Sequence, residues 1–338
     1  MKATLLAETL RKCGHVMPHW IWGPPGIGKS QVVQQWALDE DLELRDLRAC
    51  LLESVDIRGL PKITDDCAKW LPPEFLPRDP KSKGILFLDE LAQAPIPTQN
   101  ALLQLSLDRK VGEHYKLPDG WHIVAASNRL EDGAGVSRVT TALSARFCHL
   151  EMETESSEWL VWAAEKGVNP EVRSFVAFRP GLLHKFDRKE KSSPNPRAWE
   201  FVSKLMAANP PSAAELSVIS GVVGHGAAGE FAAFRRVYSK LPDMDKLLYE
   251  DAKIPDDPST KYAIIGASTD YLRRHMVDPK STAKLKEKVQ GAVSGLLIRL
   301  GAEFATAGFR QAAAIDKTLF DVCQKARDFA AKNRHLFF

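Results

Sequence analysis

The stretch GPPGIGKS, at residues 23–30, constrains the fold of this chain more than any other. It satisfies the pattern GxxxxGK[ST], and it lies between an apolar run, HWIWG at 19–23, and a helical pattern. In that context the loop presents backbone N–H groups to phosphate oxygens at a helix N-terminus. The stretch therefore predicts a phosphate-binding loop in an α/β domain. Its residues are Gly23, Pro24, Pro25, Gly26, Ile27, Gly28, Lys29 and Ser30.

The last two residues of this loop have distinct predicted roles. Lys29 is expected to reach the β- and γ-phosphates of a nucleotide, and Ser30 is expected to ligate Mg²⁺ through its hydroxyl. The predicted cofactors are accordingly ATP and Mg²⁺.

Two further apolar runs end in polar side chains. GILFLDE, at 84–90, ends in Asp89 and Glu90, and HIVAASN ends in Asn128. Asp89 is predicted to hold Mg²⁺, and Glu90 to polarise the attacking water as a general base. If the strand before Asn128 lies between the other two, this amide points at the γ-phosphate beside Glu90.

Two arginines are candidates for stabilising a phosphoryl-transfer transition state, whose negative charge a planar guanidinium can neutralise. Arg146 lies in TALSARF, just before a predicted strand, and Arg197 begins the helical pattern PRAWEFVSKL. Neither arginine alone indicates a catalytic role. Both become candidates because of their order along the chain after the phosphate loop, Asp89, Glu90 and Asn128.

The alternation of strands and helices stops near residue 156. Helical periodicity follows as far as the C-terminus. With 338 residues available for two cores, we predict an α/β domain over 1–153 and a helical region over 154–338. The predicted strands are 19–23, 42–50, 84–90, 121–128 and 147–152, and the predicted helices between them are 30–38 and 98–107.

Composition excludes several classes of protein. No run of about 18 apolar residues could span a membrane, and the N-terminus lacks the pattern of a signal peptide. The five cysteines are scattered without CxxC spacing, which argues against a disulfide framework or a zinc site. We therefore expect a cytoplasmic protein. Residues 270–338 hold 13 Lys and Arg against 7 Asp and Glu, which suits a solvated helix face or nucleic acid.

The order of these motifs resembles the AAA+ ATPases, and within them the MoxR family. The closer resemblance rests on DIRGLP at 56–61, WLPPEFLP at 70–77, the run from 102 to 129, and RVTTALSARFCHLEME at 138–153. It covers nearly all of residues 15–205. One difference is Gly28, where many MoxR members have Ala.

The resemblance implies a five-stranded parallel sheet in the order 5-1-4-3-2, a helical lid, and hexameric rings that hydrolyse ATP at subunit interfaces. Arg146 would then be an arginine finger acting on the neighbouring subunit's ATP. Asn128 would be sensor 1, Arg197 sensor 2, and Arg138 an additional interface arginine.

Two insertions, at 59–76 and 110–120, are similar to the helix-2 insert and the pre-sensor-1 hairpin of this clade, which face the pore of the ring. Trp70 and Leu71 could contact a substrate there, or they could pack the hairpin on its own domain.

Three functions remain open from the sequence. The leading one, implied by the resemblance to the MoxR family, is a chaperone-like machine that remodels a protein target with a von Willebrand factor A domain adaptor. The others are an ATPase that acts on nucleic acid and a switch in which ATP mainly controls ring assembly.

Overall fold

The computed structural model describes residues 1–132, 139–187, 190–250 and 252–337. Arg138 lies outside these residues. The chain divides into two compact units, Met1–Thr154 and Glu155–Phe338.

The first unit is built on a five-stranded parallel sheet. Its strands are β1 (His19–Trp22), β2 (Glu43–Arg48), β5 (Gly84–Asp89), β8 (Trp121–Ser127) and β9 (Cys148–Glu151). The order across the sheet is β2-β5-β8-β1-β9, and every neighbouring pair is parallel. Counted over these five strands, the predicted order 5-1-4-3-2 is confirmed, and β8 lies between β5 and β1.

Side chains of the central strands alternate between two cores because successive residues of a strand point to opposite faces. In β5, Leu86 and Leu88 pack into one core, whereas Ile85 and Phe87 pack into the other. The strand is therefore buried on both faces, as its unbroken apolar run predicts.

Helices and two hairpins complete the first unit. The helix α2 (Lys29–Asp39) begins within the phosphate loop, and α4 (Ile96–Asp108) lies beyond the end of β5. The helices are α1 (Ala3–Cys13), α2 (Lys29–Asp39), α3 (Ser54–Arg58), α4 (Ile96–Asp108) and α5 (Thr141–Ser144). The hairpin strands are β3 (Leu60–Ile63), β4 (Ala68–Leu71), β6 (Lys110–Val111) and β7 (Tyr115–Lys116).

The second unit is helical, as expected, and its described residues contain no strand. Its two cores are centred on the aromatic side chains of Phe175, Trp199 and Phe231 and on that of Phe309. Its helices are α6 (Ser156–Glu165), α7 (Pro170–Phe178), α8 (Pro196–Ala207), α9 (Ser212–Val223), α10 (His225–Tyr238), α11 (Met244–Tyr249), α12 (Pro258–Val277), α13 (Ala283–Arg299), α14 (Ala302–Ile315), α15 (Leu319–Val322), α16 (Gln324–Lys332) and α17 (Arg334–Phe337).

Over the described ranges, none of the helices combines the length and the apolar character that crossing a bilayer would require.

Candidate nucleotide site

The phosphate loop begins directly after β1, and its last two residues, Lys29 and Ser30, are the first two residues of α2. Gly26 and Gly28 have positive φ angles, 76° and 103°. Residues with a Cβ rarely adopt these values, so both glycines are required by the backbone. The loop thus brings its N–H groups to a helix N-terminus, where the helix dipole favours an anion.

Lys29 is the first residue of α2 and is only 8% exposed. Its Nζ donates to the carbonyl oxygens of Gly23 at 2.7 Å and Pro24 at 2.9 Å, and to Asn128 Oδ1 at 2.8 Å. These bonds place a cation inside the loop, where it can contact the phosphates of a nucleotide. They also bring together two residues that the sequence predicted separately, Lys29 and Asn128.

Ser30 and Asp89 meet at the same edge of the sheet. Ser30 Oγ donates a hydrogen bond of 2.9 Å to Asp89 Oδ2. A hydroxyl and a carboxylate are hard oxygen ligands of the kind that Mg²⁺ prefers. The two side chains are a donor set that fits Mg²⁺, and magnesium binding at this position stays a prediction.

Glu90 follows β5 in a left-handed backbone conformation, with φ of 58°. Its backbone N–H donates to Asp89 Oδ1 at 3.0 Å. Its side chain accepts a hydrogen bond from the thiol of Cys50, with Sγ and Oε2 2.9 Å apart. Cys50 lies two residues beyond the end of β2, at the edge of the sheet where β5 also ends.

Sequence reasoning missed this contact because it used the cysteines only as indicators of compartment. The position of Cys50 at a strand end was the available signal. Burial, followed by the hydrogen bond to Glu90, raises the pKa of the Cys50 thiol to about 11. The thiol is therefore protonated at neutral pH and acts as a hydrogen-bond donor to the Glu90 carboxylate.

We expect Cys50 to react slowly with iodoacetamide, because the thiolate is the reactive form. Relative to a thiol of pKa about 8.5, its thiolate fraction at pH 8 should be about 200-fold lower. Peptide mass spectrometry over time measures the rate, with Cys50 of the urea-unfolded chain as the reference. The difference in alkylation rate between the folded and the unfolded chain should become smaller as the pH rises towards the pKa of the Cys50 thiol. Equal rates at pH 8 in the folded and unfolded chains would contradict the protonated thiol.

Ser127, the last residue of β8, holds the strand ends of the site together. Its Oγ accepts hydrogen bonds from Trp20 Nε1 and from the Ala92 backbone N–H, both at 2.9 Å. These bonds join β1, β8 and the turn after Glu90 immediately beside Asn128. The sequence did not identify Ser127, because a serine at the end of the apolar run HIVAAS does not differ from any other small residue.

Arg146 lies between α5 and β9 and is partly exposed. Its Nη1 donates to the Ala142 carbonyl, and its Nε is buried without a hydrogen-bond partner among the described residues. Within the same residues, no carboxylate lies within 4.0 Å of its guanidinium to form an ion pair. The charge of Arg146 therefore has no carboxylate partner among the described residues.

Arg197 is exposed near the N-terminus of α8, in the second unit. Its role at the nucleotide stays a prediction.

The two predicted insertions form the hairpins β3–β4 and β6–β7. Trp70 is 43% exposed and Leu71 is 52% exposed, although Trp70 stacks on His114 with ring centroids 6.3 Å apart. Trp70 thus contacts the other hairpin and remains accessible. Both possibilities raised by the sequence are compatible with this arrangement.

Residues 19–147 match the family model of the AAA domain, dynein-related subfamily. The matched segment contains the phosphate loop, Asp89, Glu90, Asn128 and Arg146. Residues 19–147 are an AAA domain. The chain therefore carries a nucleotide-binding ATPase domain of the AAA type over these residues. No curated protein sequence is significantly similar to it.

Solved structures with similar backbones include NtrX from Brucella abortus in complex with ATP, at 16% identity and a TM-score of 0.41. That match covers 93% of this chain and 68% of NtrX. A RuvB mutant from Thermotoga maritima has 14% identity and a TM-score of 0.36, covering 97% of this chain and 85% of RuvB. These TM-scores are too low for the structural similarity to indicate what the AAA domain acts on.

Proposed function

We propose that this AAA+ ATPase is a MoxR-type machine that hydrolyses ATP at the interfaces of a homo-hexameric ring. Arg146 supports the interface site, because its guanidinium is partly exposed and has no carboxylate partner among the described residues. An arginine in that condition is suited to an anion supplied from outside its own copy. In this proposal the anion is the γ-phosphate of ATP bound to the neighbouring copy.

Within one copy, the residues of the site divide the work of ATP cleavage. Lys29 binds the β- and γ-phosphates, and Ser30 and Asp89 would hold Mg²⁺, which neutralises phosphate charge when bound. Glu90 accepts a proton from the attacking water, and the Cys50 thiol orients its carboxylate. Asn128, held to Lys29 at 2.8 Å, orients the water without adding charge. Arg146 of the next copy stabilises the charge that develops on the transferred phosphoryl group.

The hairpin β3–β4 supports a protein as the target of this machine. Leu60, Ile63, Trp70 and Leu71 are 69%, 86%, 43% and 52% exposed. The register of β3 and β4 places Leu60 and Leu71 on one face of the hairpin, and Ile63 and Trp70 on the other. Both faces therefore present apolar side chains that could contact another protein. We propose that the hairpin binds the protein target, and that a von Willebrand factor A domain protein serves as adaptor. This exposed hairpin is the observation on which the remodelling function rests.

We expect the Glu90→Gln variant to retain a reproducible set of proteins from a lysate in the presence of ATP, and to release them with ADP. Adding Ile63→Ser should weaken retention about 10- to 150-fold, because one apolar side chain buried at an interface contributes about 1.5–3 kcal/mol. Quantitative mass spectrometry of the retained material measures the effect.

Leu38→Ser on α2 is the matched control, since Leu38 is also an exposed apolar residue, at 76%. It should leave retention unchanged in the Glu90→Gln background. The remodelling function is wrong if no protein is reproducibly retained, and the hairpin assignment is wrong if Ile63→Ser and Leu38→Ser behave alike.

A second candidate, an ATPase that acts on nucleic acid, is favoured by one observation. Residues 270–338 contain 13 Lys and Arg but only 7 Asp and Glu, and this net positive charge could bind a phosphate backbone. The same retention experiment separates the two candidates. Retained material that is nucleic acid, and that is lost in high salt, would favour this second function over protein remodelling.

A further inference from the structure

A chain of side-chain contacts joins the strand before the phosphate loop to the segment that contains Arg146. The strands β1 and β9 are parallel neighbours, and His149 of β9 is paired with Trp20 of β1. Trp22, the last residue of β1, directly precedes Gly23 of the loop. Its indole is the first group in this chain of contacts.

The imidazole of His149 is hydrogen-bonded at both nitrogens. Trp22 Nε1 donates to Nδ1 at 2.8 Å. Indole can only donate, so Nδ1 is unprotonated and the proton of the neutral ring lies on Nε2. Nε2 then donates to the Ser144 carbonyl oxygen at 2.9 Å, and Ser144 Oγ lies 3.2 Å from the same nitrogen.

Arg146 is thereby held from both sides. Ser144, two residues before it, is bonded to His149, and Phe147, immediately after it, packs edge-on against Trp20 with ring centroids 5.1 Å apart. Trp20 is fully buried and stacks on Trp22 with centroids 4.7 Å apart. The backbone on each side of Arg146 is therefore attached to the strand that leads into the phosphate loop.

We propose that His149 is a positioning residue for the ATPase reaction. It couples the phosphate loop of one copy to Arg146 of the same copy, and that arginine acts on the ATP of the neighbouring copy. The inference rests on the proposed action of Arg146 across the interface. A shift of β1 when the loop binds or releases phosphate passes through Trp22 and His149 to Ser144. The position of Arg146 then depends on the nucleotide bound to its own copy.

The ring of His149 stacks on Trp20 and on Trp22, with centroids 5.6 and 5.9 Å apart. His149→Phe tests the link because it keeps an aromatic ring in this stack and removes the hydrogen bonds to Trp22 and Ser144. We expect kcat to fall about 10- to 100-fold, since a displacement of about 1 Å has effects of this size, while KM for ATP changes little. His149→Gln places an amide donor near the Ser144 carbonyl and should recover part of the loss. If His149→Phe fails to fold, Trp22→Phe removes one of the two bonds and replaces it as the test variant.

Mixed rings separate positioning of Arg146 from a general structural role. Glu90→Gln subunits bind ATP without cleaving it and still present Arg146, whereas Arg146→Ala subunits have a complete nucleotide site and lack the arginine. Mixing the two should restore activity only where Arg146 of the first acts on ATP bound to the second. His149→Phe is then added to one subunit type at a time.

We expect His149→Phe to lower the restored activity about 10-fold or more in the Glu90→Gln subunit, which presents Arg146. In the Arg146→Ala subunit, where no arginine remains to be positioned, it should have little effect. Equal loss from either subunit would assign His149 a structural role and overturn the inference. Absence of any restored activity before His149 is changed would overturn the interface site itself, and the inference with it.

Discussion

Replacing Glu90 with Gln will leave ATP binding intact and reduce its hydrolysis by about 10²- to 10⁴-fold, the usual contribution of a general base. The amide has the shape of the carboxylate and can still accept the hydrogen bond that the Cys50 thiol makes to Oε2. It cannot take a proton from water. Phosphate release under saturating ATP measures the rate, and equilibrium binding of a fluorescent ATP analogue measures the affinity.

Glu8→Gln is the control for this prediction. Glu8 is an exposed glutamate on α1 that pairs with Lys12, away from the nucleotide site. Its replacement should leave hydrolysis within about twofold, as expected for a surface substitution. A Glu90→Gln variant that hydrolyses ATP at the rate of the unmodified chain would show that another group serves as the base.

Arg146→Ala is expected to lower turnover by about 10³- to 10⁵-fold, the range for an arginine that stabilises phosphoryl-transfer charge in trans. The affinity for ATP should change little, because in this account the arginine contacts a nucleotide bound to the other copy. Arg146→Lys should not restore activity, since an ammonium does not reproduce the planar fork of a guanidinium.

Arg78→Ala serves as the matched control, because Arg78 is an exposed arginine of the same unit.

Turnover per subunit of the unmodified chain should also rise steeply with protein concentration, as copies assemble. A constant specific activity across the range in which assembly occurs would contradict a site shared between copies.

The sheet was predictable from the sequence because its strands are buried on both faces. Such strands appear as unbroken apolar runs, as in GILFLD at 84–89, and a parallel sheet gathers their carboxyl ends at one edge. That rule also brings Ser30, Asp89 and Asn128 into one site. The hydrogen bonds from Ser30 to Asp89 and from Lys29 to Asn128 are what the rule leads one to expect.

The groups that support the site were not predictable in the same way. Cys50, Ser127 and His149 each make a hydrogen bond to a distant partner, and these partners lie 40, 107 and 127 residues away in the chain. No local pattern specifies such partners, because they depend on the register between strands that are distant in the chain. The helix α1 was also not predicted; its buried residues are Leu6 and Leu10, and only this pair marks its apolar face.

The central claim is that ATP is cleaved where two copies meet, and mixing two inactive variants tests it most directly. Glu90→Gln and Arg146→Ala subunits are combined in equal amounts, allowed to assemble and assayed for phosphate release. With random assembly, about a quarter of the interfaces in a ring pair an intact nucleotide site with an intact arginine. We predict activity far above the sum of the two separate variants. If mixed assemblies form and remain as inactive as their parents, the claim is wrong.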